Sequence, residues 1–460
     1  MKNRKPKKCV VMEDIYKRFP DVHPNIVLKT DIMRKGIDIS ERAKENFNKR
    51  DDLLWKGFHM FSYEYQKTAM YGEKTPYFFR LEDDSPLQFR GNASSDYVID
   101  LLDDGEFVIR RNGEIVARNI TFEPKPKWYD LKTEKEGVAM GAIAQGHCRS
   151  LFITMNKFCE LWKTHDQCLF CDIVNTMKSQ SEKNEDFVAR IDPETIAEVV
   201  QTAIHVDPLY AIAMYVSGGT ILGKYKGQTE LEFFISRLDA IRRRLGAWIP
   251  TCVQIAPYDD EGWKKLHDLG FAGVQPDIEV WDKKLFEWIC PGKSKFIGYD
   301  TWIKRTIRAV DFWGPGQVNP NFVAGVEMAK PYGFTKISDA IKSTASGWDF
   351  LMDHGVLPRF NLWARVPGAA FHDQEAPDLE YFIEIQKTYT ELRWKHHFDP
   401  PFPACKTRNS WTLNCIWDFE YYHGTGPLSK RSLDAKRGLK PNDKSEAATL
   451  AVAQNRKSVA

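Results

Sequence analysis

No stretch of this sequence approaches the roughly 18 uninterrupted apolar residues that a membrane span requires, so no transmembrane segment is expected. The basic start, Met1-Lys2-Asn3-Arg4-Lys5-Pro6-Lys7-Lys8, lacks the apolar run of a secretory signal behind it, and the expected location is cytoplasmic. Excess charge of either sign is also missing. The 65 Lys and Arg against 63 Asp and Glu leave a net charge of +2, which predicts no nucleic-acid partner. Cysteine is sparse, at nine in 460 residues. An odd number scattered over a long chain excludes the disulfide scaffold of a small secreted domain and predicts reduced thiols, some of them ligands. What remains is a composition of 43% hydrophobic and 28% charged residues, that of a soluble globular chain long enough for one large α/β domain with additions. Aromatics reach 13%, with 14 Trp, which predicts thick core packing.

Three of the cysteines stand close together. Cys159, Cys168 and Cys171 follow the apolar run Leu151-Phe152-Ile153-Thr154-Met155 in the spacing C-x8-C-x2-C. A second apolar run, Ala211 to Val216, ends in Ser217-Gly218-Gly219-Thr220. A three-thiolate loop between a strand and a strand that ends in paired glycines suits a metal cluster beside a bound small molecule. A [4Fe–4S] cube has four irons, and three cysteines leave one of them open to a further ligand. A structural zinc site using Cys159, Cys168, Cys171 and Cys148 is the alternative on spacing alone. Phe170, just before Cys171, is placed to shield the site from water.

From about Gly141 strand-like and helix-like runs alternate. Strands are predicted at Ser150–Met155, Tyr210–Val216, Trp248–Ile255, Phe271–Val280, Val318–Val326 and Arg359–Val366. Helices are predicted from Asp192, an N-cap with Pro193 behind it, to about His205, then at Thr229–Leu245, Asp260–Leu269, Asp300–Trp313 and Thr335–His354. Six strands joined by helical crossovers predict a parallel sheet curved into a partial barrel, two strands short of a closed one. Ahead of it, residues up to about 75 look mostly helical, with Ser40 capping a helix to Trp55. Phe107–Arg111 and Glu114–Arg118 around Asn112-Gly113 predict a hairpin. The expected organisation is an N-terminal α+β extension over 1–140, a barrel over 141–370, an aromatic-rich C-terminal extension over 371–426 and a disordered, Lys/Arg-rich tail over 427–460.

Asn156-Lys157-Phe158-Cys159 and Cys168-Leu169-Phe170-Cys171 resemble the cluster loop of the radical S-adenosylmethionine (radical SAM) superfamily, whose usual spacing is C-x3-C-x-aromatic-C. The x8 arm is a departure. Ser217-Gly218-Gly219-Thr220 is similar to that family's "GGE" strand end, with Thr in place of Glu. Gln275 to Asp282 with Ile289 to Lys293, Val323 to Glu327, and Arg365-Val366-Pro367-Gly368 resemble strand ends of its biotin-synthase-like branch, so the likeness spans roughly 145–375. It implies a partial (β/α)6 TIM-like radical SAM barrel. Cys159, Cys168 and Cys171 would hold a [4Fe–4S] cluster, and Ser217, Gly218, Gly219, Thr220, Glu279 and Glu327 would hold S-adenosylmethionine (SAM).

The chemistry implied is reductive cleavage of SAM to a 5′-deoxyadenosyl radical that takes a hydrogen atom from a small-molecule substrate, with a cofactor precursor as one form of it. A flavodoxin or ferredoxin would be the reducing partner. A protein or RNA substrate, or a non-catalytic zinc or cluster protein, are the alternatives. No D-x-H-x-x-G stretch of a cobalamin site is present. Arg365 is a candidate substrate contact, and His147, His165, His396 and His397 are candidate acid–base groups. Cys405 and Cys415, with Cys290 or Cys252, are candidates for an auxiliary cluster.

Overall fold

The computed structural model describes residues 12–20, 22–53, 55–56, 75–82, 86–147, 150–175, 178, 192–208 and 213–398. Cys9, Cys148, Cys405, Cys415 and the expected tail lie outside the described residues. By its internal contacts the chain divides after Pro124, ahead of the boundary expected near 140.

In the first unit, the predicted hairpin forms as Phe107–Arg111 and Glu114–Ala117. Asn112 and Gly113 have φ of 49° and 89°, the positive pair that a type I′ turn requires. Tyr97–Leu101 pairs antiparallel beside it. Ser40 caps the helix Glu41–Asn48, its Oγ accepting from the Ala43 amide at 3.2 Å. That helix stops well before Trp55. Lys49 and Arg50 bond back three residues instead of four, the tightening of a last turn. Pro24–Lys35 is a second helix, with Pro24 in its first turn.

The second unit is the α/β body. Its parallel strands are β1 Ser150–Thr154, β2 Met214–Ser217, β3 Thr251–Gln254, β4 Gly273–Gln275, β5 Asn321–Ala324 and β6 Arg359–Leu362. Their helices are α1 Pro193–Val206, α2 Glu230–Leu245, α3 Asp260–His267, α4 Lys283–Ile289, α5 Pro291–Phe296, α6 Tyr299–Arg308 and α7 Ile337–Asp353. After β6 comes α8 Leu379–Lys395. Leu151 lies opposite Met214, Met214 opposite Thr251, Cys252 opposite Gly273, and Asn321 opposite Arg359. Ala144–His147 adds an antiparallel edge to β1.

β4 and β5 are joined in two places. Asn319 donates to the Val274 carbonyl at 2.8 Å, and Val323 donates to that of Glu279 at 2.8 Å. Between them lies Pro276, which has no N–H to give, and pairing resumes at Ile278, whose amide donates to the Asn321 carbonyl at 3.1 Å. The six parallel strands therefore run in sequence order as an open, partial barrel.

Caps placed the helices. Asp192 accepts from Glu194 N with Pro193 in the first turn of α1, and Thr229 and Glu232 form a reciprocal capping box on α2. Strand faces are apolar throughout: Leu151, Ile153, Met214, Val216, Val253, Val274, Phe322 and Phe360 are all buried. Trp348 of α7 packs edge-on against Phe322 and Tyr389. Among the described residues, no helix is long and apolar enough to cross a membrane.

Candidate active site

The C-terminal end of β1 leads directly into the thiol loop. Met155 donates its amide to the Ser217 carbonyl at 2.7 Å, so β1 and β2 are still paired at the last residue before the loop. Asn156 then turns inward and is buried. Its Nδ2 donates to the Gly219 carbonyl at 2.7 Å and to that of Phe158 at 2.9 Å, stapling the start of the loop to the end of β2. Its Oδ1 is buried without a hydrogen-bond partner, against Gly218.

The two glycines answer to this staple. A Cβ on Gly218 would overlap Asn156 Oδ1. One on Gly219 would overlap the Phe158 carbonyl oxygen and lie 2.8 Å from Cys159 Cβ. Glycine is required here by the approach of the thiol loop itself. Beyond the pair, Glu160 N donates to the Thr220 carbonyl at 2.8 Å, and the Glu160 carboxylate accepts from Leu222 N at 2.9 Å.

Cys159, Cys168 and Cys171 are free and half-buried. Burial raises the pKa of Cys159, opposed by hydrogen bonds from the Thr220 backbone and hydroxyl and from Leu161. Burial likewise pushes the Cys171 thiol well up, with the charges of Cys168, Asp172 and Cys159 adding to it. Cys168 is shifted down, first by a hydrogen bond with Cys290 and also by the Lys293 ammonium. The three sulfurs thus interact with one another and with a fourth thiol, Cys290, which the sequence set apart as an auxiliary candidate.

Among the described residues, no three His, Cys, Asp or Glu side chains are grouped closely enough to hold one metal ion. Three free thiols on one loop are the donor number that would leave a four-iron cube with one iron open. The fourth zinc donor considered, Cys148, lies outside the described residues.

The thiol loop is braced from two further strand ends. Leu169 N donates to the Ile289 carbonyl, and Gly292 N to that of Asp166, both at 2.9 Å. Phe371 N, beyond β6, donates to the Leu169 carbonyl at 2.9 Å. Glu279, beyond β4, has φ of 71° in a non-glycine residue, and Lys293 Nζ donates to its carboxylate at 2.7 Å. Burial raises the Glu279 pKa, the ammonium acting against it.

Glu327, beyond β5, has both oxygens engaged. One accepts from Gly325 N at 2.8 Å; the other accepts from Thr344 Oγ1 at 2.9 Å and from the Tyr381 hydroxyl at 2.5 Å. Arg365 donates to the Gln374 carbonyl at 2.7 Å. His165 is exposed on the thiol loop, and His396 pairs with Asp349 and Asp353 at the ends of α7 and α8. A cleft of about 480 Å³ opens on the segments that follow β4 and β5, lined by Asp282, Lys284, Leu285, Trp288, Tyr332 and Phe334.

No family model matches the chain. The bacteriochlorophyllide c C-7(1)-hydroxylase of Chlorobaculum limnaeum is 25% identical over 148 residues, 32% of this chain and 34% of that protein, so the match spans about a third of the relative's length. Among solved structures, methylornithine synthase (PylB) is similar at a TM-score of 0.37 and 14% identity, over 65% of this chain and 84% of that one. Streptococcus suis SuiB bound to S-adenosylmethionine scores 0.36 at 13% identity, over 54% and 49%. Coproporphyrinogen III oxidase (HemN) from Escherichia coli, described as a radical SAM enzyme, scores 0.31 at 13% identity, over 50% of each chain.

Sequence reasoning quoted Asn156 within the cluster motif without giving it a task, and Lys293 only within a resemblance. The signal for Asn156 was its place, one residue past an apolar strand and three before Cys159.

Proposed function

We propose that the chain is a radical SAM enzyme, holding a [4Fe–4S] cluster and S-adenosylmethionine, that removes a hydrogen atom from an unactivated carbon of a small molecule. The observation that carries the proposal is the staple of Asn156 and the glycine pair, which fixes the first cysteine of the loop to the end of the neighbouring strand. Cys159, Cys168 and Cys171 hold the cluster. The open strand end Ser217-Gly218-Gly219-Thr220 seats the methionine side of SAM, and Glu279 bounds that seat from β4. Glu327 acts one step back, by holding the turn at Gly325 in shape. When bound, the reduced cluster and SAM supply a 5′-deoxyadenosyl radical for abstraction of the hydrogen atom.

The chain's own part is to place and to exclude. The cleft lined by Trp288, Tyr332 and Phe334 has the volume of a small-molecule site, and its aromatic walls favour a substrate with a broad apolar face. That the C. limnaeum relative is named for hydroxylating a carbon of a bacteriochlorophyllide supports a C–H position of a large organic molecule as the target. The electron is expected from a small reducing protein such as flavodoxin or ferredoxin, in the cytoplasm.

The test is anaerobic. Protein reconstituted with iron and sulfide is mixed with dithionite and SAM, and 5′-deoxyadenosine is measured beside Cys168→Ala. Brown protein that forms deoxyadenosine, with the variant silent, is the expected result. Colourless protein that binds zinc and leaves SAM intact would overturn the proposal.

A further inference from the structure

The walls of the cleft beyond β4 and β5 come from two segments, each held from behind. On one side Lys284, Leu285 and Trp288 lie within about a turn of one another on α4, which Asp282 caps by accepting from Leu285 N at 3.0 Å. On the other side Tyr332 and Phe334 stand on a tight turn. Gly333 N donates to the Ala329 carbonyl at 2.7 Å and Phe334 N to that of Glu327 at 2.8 Å, and a Cβ on Gly333 would lie 2.6 Å from the Met328 carbonyl carbon. The Trp288 ring joins the two sides. Its centre is 5.0 Å from that of Tyr332, edge-on, and 5.2 Å from that of Phe371. Phe371 N in turn donates to the Leu169 carbonyl, between Cys168 and Cys171. One residue therefore links the cleft wall to the thiol loop.

The charges around this cleft are unevenly committed. Asp282 is turned to the first amides of α4. Lys283 pairs with Asp300 at 2.6 Å, and on the opposite wall Lys330 pairs with Glu375 at 3.3 Å. Glu287, one turn along α4, acts on Lys283. Lys284 is different. It is exposed, it lines the cleft, and among the described residues it has neither an ion pair nor a hydrogen bond. An apolar recess with one uncommitted ammonium at its edge is a site that can sort ligands by charge.

We propose that Lys284 is a specificity-determining residue that pairs with an anionic group, a carboxylate or its equivalent, on a substrate whose planar apolar body lies against Trp288, Tyr332 and Phe334. The inference rests on the reading that this cleft takes the substrate. The rings supply most of the affinity, by burial of the apolar body. The ammonium faces water, so its contribution is that of an exposed ion pair, and its main effect is on which molecule is accepted and in which orientation.

The test is equilibrium dialysis of the full-length protein against pyrenecarboxylate and the uncharged pyrenecarboxamide, at low and at high salt. The wild type is expected to bind the carboxylate about three- to fivefold more tightly than the amide, the range of an exposed ion pair, and high salt removes most of that margin. Lys284→Met loses the margin by weakening the carboxylate alone, and Lys284→Arg keeps it. Tyr332→Ala, at a side chain 71% exposed, weakens both probes and so places them in the cleft. Equal binding of the two probes by the wild type, or a margin that Lys284→Met retains, overturns the inference and leaves the cleft as an apolar site. Probes that do not bind, or that bind alike with and without the Tyr332 ring, overturn the reading of the cleft and the inference with it.

Discussion

Replacing Gly219 by alanine is the sharpest probe of the staple. The new Cβ would overlap the Phe158 carbonyl oxygen and stand 2.7 Å from its carbon. An ordinary carbon–carbon contact is ~3.5 Å, so the strand end and the loop must part by about 0.8 Å or more. Both atoms struck belong to, or are held rigid by, backbone, and no side-chain rotation relieves them.

Overpacking of this kind costs about 1–3 kcal/mol, and the Asn156 bond to the Gly219 carbonyl, stretched by the same movement, adds about 1 kcal/mol. A loss of ~2–4 kcal/mol lowers the melting temperature by roughly 5–10 °C in a unit of this size. The larger effect falls on Cys159, whose Cβ lies 2.8 Å from the added methyl. A ligand misplaced by a fraction of an ångström lowers cluster occupancy, and misplacement by about 1 Å lowers turnover by ~10²-fold. The assay is a melt of the reduced apoprotein, then iron content after anaerobic reconstitution, then deoxyadenosine formation. Gly223→Ala is the control, since a Cβ there meets nothing within 4 Å. Gly219→Ala that melts and binds iron like Gly223→Ala would refute the reasoning.

Two further outcomes are expected. Asn156→Ala leaves the Phe158 and Gly219 carbonyls without their common donor, costing about 2–4 kcal/mol and much of the iron content; a variant with full iron and an unchanged melt would show the amide to be dispensable. Glu230 is half-buried, with the Tyr258 hydroxyl and Ile221 N as donors, and loss of water around the carboxyl holds its pKa above the ordinary 4.5. A carboxyl whose folded pKa is raised contributes stability below the unfolded value and loses it as pH rises through the folded one. Glu230→Gln, which cannot ionise, is therefore expected to gain on the wild type between pH 5 and pH 8 in paired thermal melts, and a constant difference would contradict the assignment.

The barrel strands were legible because they are short, largely buried apolar runs, all but Ser150–Thr154 bounded by Gly or Pro, with helices whose caps stand in the sequence at Asp192 and Thr229. The cysteine spacing was legible for a chemical reason: few sequences place three thiols so near one strand end. Glu327 could not be judged that way. At a strand end it looked open to a ligand, but Thr344 and Tyr381, far along the chain, take its oxygens. Helices α4 and α5 were missed because they are short and their apolar faces too brief to show a period. With them went the pairing of Lys293 with Glu279, which only the crossover from β4 creates.

The bonding of the thiol loop also bears on how the protein is made. The loop emerges early during synthesis, yet its partners are the β2 end, the Ile289–Gly292 turn and Phe371, the last some two hundred residues later. Chain growth at ~5–20 residues per second leaves the cysteines waiting many seconds for the last of these supports. On the proposal that these thiols hold a cluster, loading would be an event of the finished barrel, and a nascent or truncated chain that ends before Phe371 has the three thiols with only part of their scaffold in place.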